Sequence, residues 1–212
     1  GTLGMSDALM HSCNCYFYRL GMATGIKTID QVTHWFGLGE PTGIDLPNEW
    51  AGRIPNPKYI ALTSGGNWTD ADTANTSIGQ GDVEATPLQM CVVAATVANG
   101  GQCYKPKLVL KTHDHRENVD TAFPDRPRYN LIEKGAKKAS VELVRKGMWK
   151  VVNGPRGTAK SAKSEGYETA GKTGTAQAWR SNPDPKATGK ARIGDNKTWF
   201  ITFAPYDEPK LA

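Results

Sequence analysis

The sequence predicts a mixed α+β fold in one domain, and three observations carry that reading. Gly (23) and Pro (13) are abundant in 212 residues, which favours a loop-rich mixed fold over a helical bundle. One strongly marked helix start stands at Thr86-Pro87-Leu88-Gln89. Two strand patterns, Thr169 to Ala178 and Thr198 to Phe203, lie close together near the C-terminal end. Hydrophobic residues make up 38% and charged residues 22%, so the chain is neither a disordered tail nor a membrane span.

The elements follow in order. Ser6 is placed to cap a short helix that begins at Asp7. A second helix is expected over Cys15 to Met22, with Phe17, Leu20 and Met22 partly buried and Gly25 ending it. Ile29, Val32 and Phe36 have helical spacing, and Gly37 and Gly39 terminate that helix. Gly39 to Trp68 is rich in Gly, Pro and Asn and reads as ordered loop with short strands. At Thr86 the hydroxyl can accept a first-turn N–H. Pro87 stands where its missing N–H costs nothing, and Gln89 closes a capping box.

That helix runs through Val92, Val93 and Val97 to Asn99-Gly100-Gly101, a left-handed ending. Its apolar surface predicts a core helix with Cys91 as a buried small hydrophobe. Residues 111–130 are polar and read as a surface excursion. Ser140 to Val152 is a helix with Val141, Val144, Met148 and Val151 inward. Ser181 to Lys197 is a polar loop.

Charge and cysteines narrow the function classes. Net charge is +5, but Lys and Arg are scattered apart from Lys134, Lys137, Lys138, Arg145 and Lys146. No aromatic-interleaved basic stripe supports nucleic-acid binding. The four cysteines, Cys13, Cys15, Cys91 and Cys103, have no structural-zinc spacing. Neither a metal nor an organic cofactor is expected.

Two short motifs bear chemistry. Ser12-Cys13-Asn14 lies at a helix end near the N-terminus. Lys172-Thr173-Gly174-Thr175 lies in the first of the two late strands. S-D-N and K-T-G accompany S-x-x-K in serine β-lactamases and penicillin-binding proteins; here Cys13 fills the middle of the first motif. Acyl transfer needs an activated serine, a proton path and donors for the oxyanion. Ser12 offers a hydroxyl that passes a proton, and Asn14 an amide that holds an acyl chain. Lys172 puts an ammonium beside that hydroxyl. Gly174 keeps the groove open, and Thr175 offers its backbone N–H to an oxyanion. The Thr173 and Thr175 hydroxyls suit a terminal carboxylate. Alone, a K-T-G is often a turn entering a strand, and an S-x-N is more often a helix cap.

The wider sequence resembles the class B penicillin-binding proteins, and within them the elongation-type transpeptidases. The resemblance rests on Ser12 to Tyr18, on Phe36-Gly37-Leu38-Gly39 and on Thr42-Gly43-Ile44-Asp45-Leu46-Pro47. It continues through Ser77-Ile78-Gly79-Gln80-Gly81, Thr86 to Met90, Ala170 to Gln177, and Trp199 to Pro205. It implies a transpeptidase fold in which helices pack on an antiparallel sheet. It also implies a serine-type D-Ala-D-Ala transpeptidase that acts on peptidoglycan stem peptides and is acylated by β-lactams. The catalytic part would be periplasmic, with an inner-membrane anchor outside this chain and a cell-wall glycosyltransferase as partner. Ser12, Asn14 and Lys172 would be catalytic; Thr173, Gly174 and Thr175 would bind substrate.

The chain departs from the family at the nucleophile. No serine here has a lysine three residues on, and family order puts S-x-x-K before Ser12. The expectation is a partial transpeptidase domain over residues 1–212. The nucleophile and early strands would lie upstream of Gly1, and a last strand and helix beyond Ala212. Such a fragment should be inactive alone. The competing readings are a penicillin-binding sensor or scaffold module, and a DD-carboxypeptidase or β-lactamase-type hydrolase. No segment resembles the loop that supplies class A β-lactamases with a deacylating glutamate.

Other residues have plainer readings. Some relatives place a zinc site near the position of Cys13, but an ordinary half-buried thiol is favoured here. His11, His113 and His115 read as surface residues. Trp179 suits the substrate cleft and the strand edge equally. Gln80, between Gly79 and Gly81, reads as part of a tight turn.

Overall fold

A computed structural model describes residues 2–181 and 192–212. The chain folds as helices around small antiparallel sheets, in agreement with the α+β reading. Seven α-helices are described: α1 Met5–Met10, α2 Asn14–Thr24, α3 Ile26–Trp35, α4 Pro57–Thr63, α5 Asp70–Thr76, α6 Pro87–Ala98 and α7 Lys138–Asn153. The described strands are β1 Gln102–Lys105, β2 Lys111–Asp114, β3 Val119–Ala122, β4 Arg126–Asn130, β5 Ala170–Ala176, β6 Trp179–Ser181, β7 Arg192–Gly194 and β8 Lys197–Phe203. Each pairs with one partner: β1 with β4, β2 with β3, β5 with β8, and β6 with β7.

The core forms where α6 and α7 meet the β5–β8 pair. Val97 and Ala98 of α6, Met148 of α7, Ala170 of β5 and Phe203 of β8 make one buried cluster. Helix α7 reaches it because Val141, Val144, Met148 and Val151 recur at helical spacing along one face. Its far end buries Val151 and Val152 against Ala159. The capping box at α6 forms in full: Thr86 accepts from the Gln89 N–H, and the Gln89 side chain accepts from the Thr86 N–H. Gln89 is almost wholly buried, and its Nε2 also donates to the carbonyls of Glu40 and Ala51. One glutamine thus caps a helix and ties down the loop beneath it.

Several expectations need correction. Ser6 does not cap α1; the helix starts at Met5 behind Gly4, and Ser6 Oγ accepts from Lys150 Nζ instead. Leu20 and Met22 are exposed, because α2 turns a different side to α5. The 39–68 segment contains helix α4, capped by Asn56 with Pro57 at its first turn. Helix α5, absent from the sequence reading, opens on a Thr69–Asp72 capping box. Cys91 is exposed; it faces a groove between α6 and β8, where its Sγ lies 3.3 Å from the Ala212 carbonyl. The 111–130 excursion is solvent-facing as expected, yet it holds the β2–β3 hairpin and all of β4. The 181–197 loop begins at the last residue of β6, contains β7 and ends at the first residue of β8. Its residues 182–191, and the side chain of Trp179, lie outside the described residues.

Helix α7 also grips α1. A Cβ built on Gly147 would lie 2.4 Å from Leu9 Cδ1 and 3.0 Å from Leu9 Cβ. Glycine inside a helix is unfavourable, so this one is retained for close approach. Across the same contact Lys150 Nζ lies 2.6 Å from Asp7 Oδ1. That hydrogen bond holds the Asp7 carboxyl below its ordinary value. Gly147→Ala should destabilise the protein by about 1–3 kcal/mol through overpacking, measured by urea unfolding. An unchanged midpoint would mean that α1 yields freely.

Candidate active site

Helix α1 ends at Met10 and α2 starts at Asn14, so the first motif occupies the turn between them. The Ser12 N–H donates to the Leu9 carbonyl and the Cys13 N–H to the Ala8 carbonyl. Ser12 itself adopts φ +50°, in the left-handed region. A serine there costs on the order of 1–2 kcal/mol, and glycine would relieve it. The strain aims a hydroxyl that glycine lacks.

That hydroxyl meets the other motif. Lys172 Nζ donates to Ser12 Oγ at 2.6 Å, across 160 residues of chain. It also donates to the Thr173 carbonyl. Burial pushes the Lys172 ammonium below its ordinary value, because removal from water disfavours the charged form. The two motifs singled out in the sequence therefore converge on one place.

Strand β5 supplies the rest. Lys172 and Gly174 share one face by the two-residue period of a strand, and Thr173 and Thr175 take the other. A Cβ on Gly174 would meet only Trp199 Cβ, at an ordinary 3.6 Å. Packing therefore does not require glycine at this position. The Thr173 hydroxyl pairs with Thr158 at 2.9 Å. Thr158 went unnoticed in the sequence, where nothing about Arg156-Gly157-Thr158 marks it. Asn14 is exposed and lines a polar cavity of about 360 Å³ with Tyr18, Asn75, Gln80, Asp82 and Gln177.

The two edges of β5 differ. Glu168 and Ala178 carbonyls accept from the Tyr206 and Asp195 N–H groups, so even-numbered residues address β8 and its flanks. Odd-numbered residues address the opposite edge. There Gln80 Nε2 donates to the Thr175 carbonyl at 3.0 Å, and Gln80 Oε1 accepts the Gln177 N–H at 3.2 Å. The Thr175 N–H leaves the same edge, between the Lys172 ammonium and the Gln80 carboxamide. His11 and Cys13 are half-buried; His113 and His115 are exposed, with His113 Nδ1 2.7 Å from Asp120 Oδ1. Among the described residues, no helix is long and apolar enough to cross a membrane.

Comparison with known proteins gives the class of domain. Residues 1–212 match the penicillin binding protein transpeptidase domain, and the chain belongs to that family. Among curated relatives, it is 34% identical to the peptidoglycan D,D-transpeptidase MrdA of Acinetobacter baumannii, over 100% of this chain and 31% of that protein. MrdA of Escherichia coli is 33% identical, over 100% of this chain and 33% of its own length. The chain thus spans about a third of these relatives. Among solved structures, PBP2 of Helicobacter pylori in complex with MreC superposes with a TM-score of 0.77 at 28% identity, covering 99% of this chain and 35% of that one. PBP2 of Pseudomonas aeruginosa in complex with WCK 5153 gives 0.77 at 28%, covering 98% and 42%.

The depressed Lys172 pKa carries a sign. Just below the ordinary lysine value, near pH 10.4, the native state binds fewer protons at this site than the unfolded chain. Its burial penalty is full below the folded pKa and relieved as pH rises through it. Lys172→Met should remove that dependence. The difference in urea midpoint should shift towards wild type between about pH 7 and about pH 10. A constant difference would mean that the ammonium is not desolvated.

Proposed function

We propose that residues 1–212 form the C-terminal part of the transpeptidase domain of a peptidoglycan DD-transpeptidase of the PBP2 type. The observation that carries this reading is the 2.6 Å contact of Ser12 Oγ with Lys172 Nζ, beside the open edge of β5. The longer protein supplies the nucleophilic serine and its S-x-x-K lysine, and this chain supplies the opposite wall of the cleft.

The S-x-x-K lysine takes the proton of the nucleophilic serine as its oxygen attacks the carbonyl carbon of the penultimate D-Ala of a stem peptide. The Thr175 N–H faces the oxygen that gains charge, where one well-placed donor is worth about 10²–10³ in rate. As the C–N bond breaks, the Ser12 hydroxyl passes a proton to the departing D-Ala nitrogen and is resupplied from Lys172. Asn14 holds the acyl chain. The Thr173 and Thr175 hydroxyls, which share a face of β5, bind the terminal carboxylate within the field of the Lys172 ammonium, and Gly174 keeps the groove open. An amine of a neighbouring stem then takes the acyl group and frees the serine. A β-lactam enters by the same first step, but its leaving nitrogen stays tethered.

The parent protein is anchored in the inner membrane, faces the periplasm and works beside a cell-wall glycosyltransferase of the elongation machinery. That reading rests on the resemblance to MrdA and PBP2. A hydrolase or a sensor would keep the same two motifs; the match over the full 212 residues to a transpeptidase domain favours the synthase.

Fluorescent penicillin should label the full-length protein and leave the isolated 212-residue chain unlabelled. Ser12→Ala and Lys172→Ala in the full-length protein should each slow labelling by about a hundredfold or more. An unlabelled full-length protein, or unchanged rates in both variants, defeats the assignment.

A further inference from the structure

Gln80 does more than form a turn. Its carboxamide donates to the Thr175 carbonyl and accepts the Gln177 N–H. These two groups lie two residues apart on one edge of β5, and they are what a neighbouring strand would engage. One side chain therefore occupies a strand-pairing slot. It does so immediately past the Thr175 N–H, on the edge that faces away from β8.

The need for such a clamp is local. Gly174 precedes Thr175, and glycine weakens a strand interior. On the described structure β5 has one strand partner, β8. Past Ala176 the ribbon keeps its register, with the Asp195 N–H on the Ala178 carbonyl and Trp179 opposite Gly194. Residues 175–177 are thus held by strand pairing on one side, and Gln80 holds them from the other.

Gln80 is itself held firmly. Its N–H donates to the Asn75 carbonyl, and the Gly79 N–H donates to the Thr76 carbonyl. Gly79 and Gly81 take φ +72° and +73°, which other residues rarely adopt. The preceding helix α5 packs on α2, with Ser77 Oγ donating to the Phe17 carbonyl. Helix α2 begins at Asn14. A continuous path of hydrogen bonds and packing thus runs from the first motif, through α5 and Gln80, to the end of the second.

We infer that Gln80 is a positioning residue for acyl transfer. Its carboxamide fixes the 175–177 segment so that the Thr175 N–H points into the cleft, and it sets the span between Asn14 and β5. The inference rests on the transpeptidase reading above. It assigns the residue a role through Thr175, not contact with the reacting atoms.

The test uses the full-length protein and fluorescent penicillin, with the acylation rate at saturation separated from the half-saturating concentration. Gln80→Ala should lower the saturating rate about tenfold and leave half-saturation within about twofold, since misplaced catalytic groups act on the chemical step. Gln80→Glu is isosteric. It keeps an acceptor for the Gln177 N–H but turns a carboxylate towards the Thr175 carbonyl, so it should be impaired at least as much. A merely structural role would lower the melting temperature of either variant and spare the saturating rate of the folded fraction. Wild-type saturating rates in both variants would overturn the inference and leave the transpeptidase reading standing. If wild type itself fails to label, the transpeptidase reading falls instead. Should Gln80→Ala fail to fold, the isosteric variant decides the matter by the same two constants.

Discussion

Helix α7 touches both halves of the candidate site. One end of its apolar face meets β5 through Met148 and Ala170, and its Gly147 side lets α1 approach to within a missing methyl group. Ser12 lies two residues past the end of α1, and Lys172 is the third residue of β5. The 2.6 Å between them is therefore a packing distance before it is a chemical one. Interiors are close-packed and do not absorb an added methyl group silently. The sheet contributes the second constraint, because β5 is fixed to β8 over seven paired positions from Ala170 to Ala176.

On this frame the site holds several local costs. Ser12 sits at a positive φ, Lys172 is buried with its ammonium pushed below its ordinary value, and Gly174 interrupts a strand without a packing reason. Each would be relieved by an ordinary substitution: glycine at 12, an apolar residue at 172, a β-branched residue at 174. Strain and awkward burial that collect in one place point to chemistry there. The open edge of β5 adds direction. An ammonium, a backbone N–H and a carboxamide follow one another along it, so a ligand laid on that edge meets a donor between two fixed polar groups.

Much of this was legible in the sequence, and the errors have definite causes. The Thr86–Gln89 box, the α7 periodicity and both late strands form as expected, because each depends on neighbours in sequence. Helices α4 and α5 also carried local signals, Asn56-Pro57 and Thr69 with Asp72, hidden in stretches whose composition suggested loop. Cys91, Leu20 and Met22 are different. Their apolar character was plain, but which side of α2 or α6 is covered depends on elements distant in sequence. Ser6 had a capping residue's chemistry but lies two positions past the Gly4 cap, inside a helix that starts at Met5.

The sequence by itself determined which residues are candidates for the chemistry. A hydroxyl, an amide and an ammonium in two short motifs, set in a collinear family pattern, are properties of residue type and order. The tertiary structure alone decided that Ser12 and Lys172 face one another, that Thr158 shares the Thr173 hydroxyl, and that Gln80 grips the end of β5. The physical reason is range. Caps, turns and periodic faces are set within a few residues, whereas these contacts join segments up to 160 residues apart and exist only once α7 and β8 have fixed where the motifs lie.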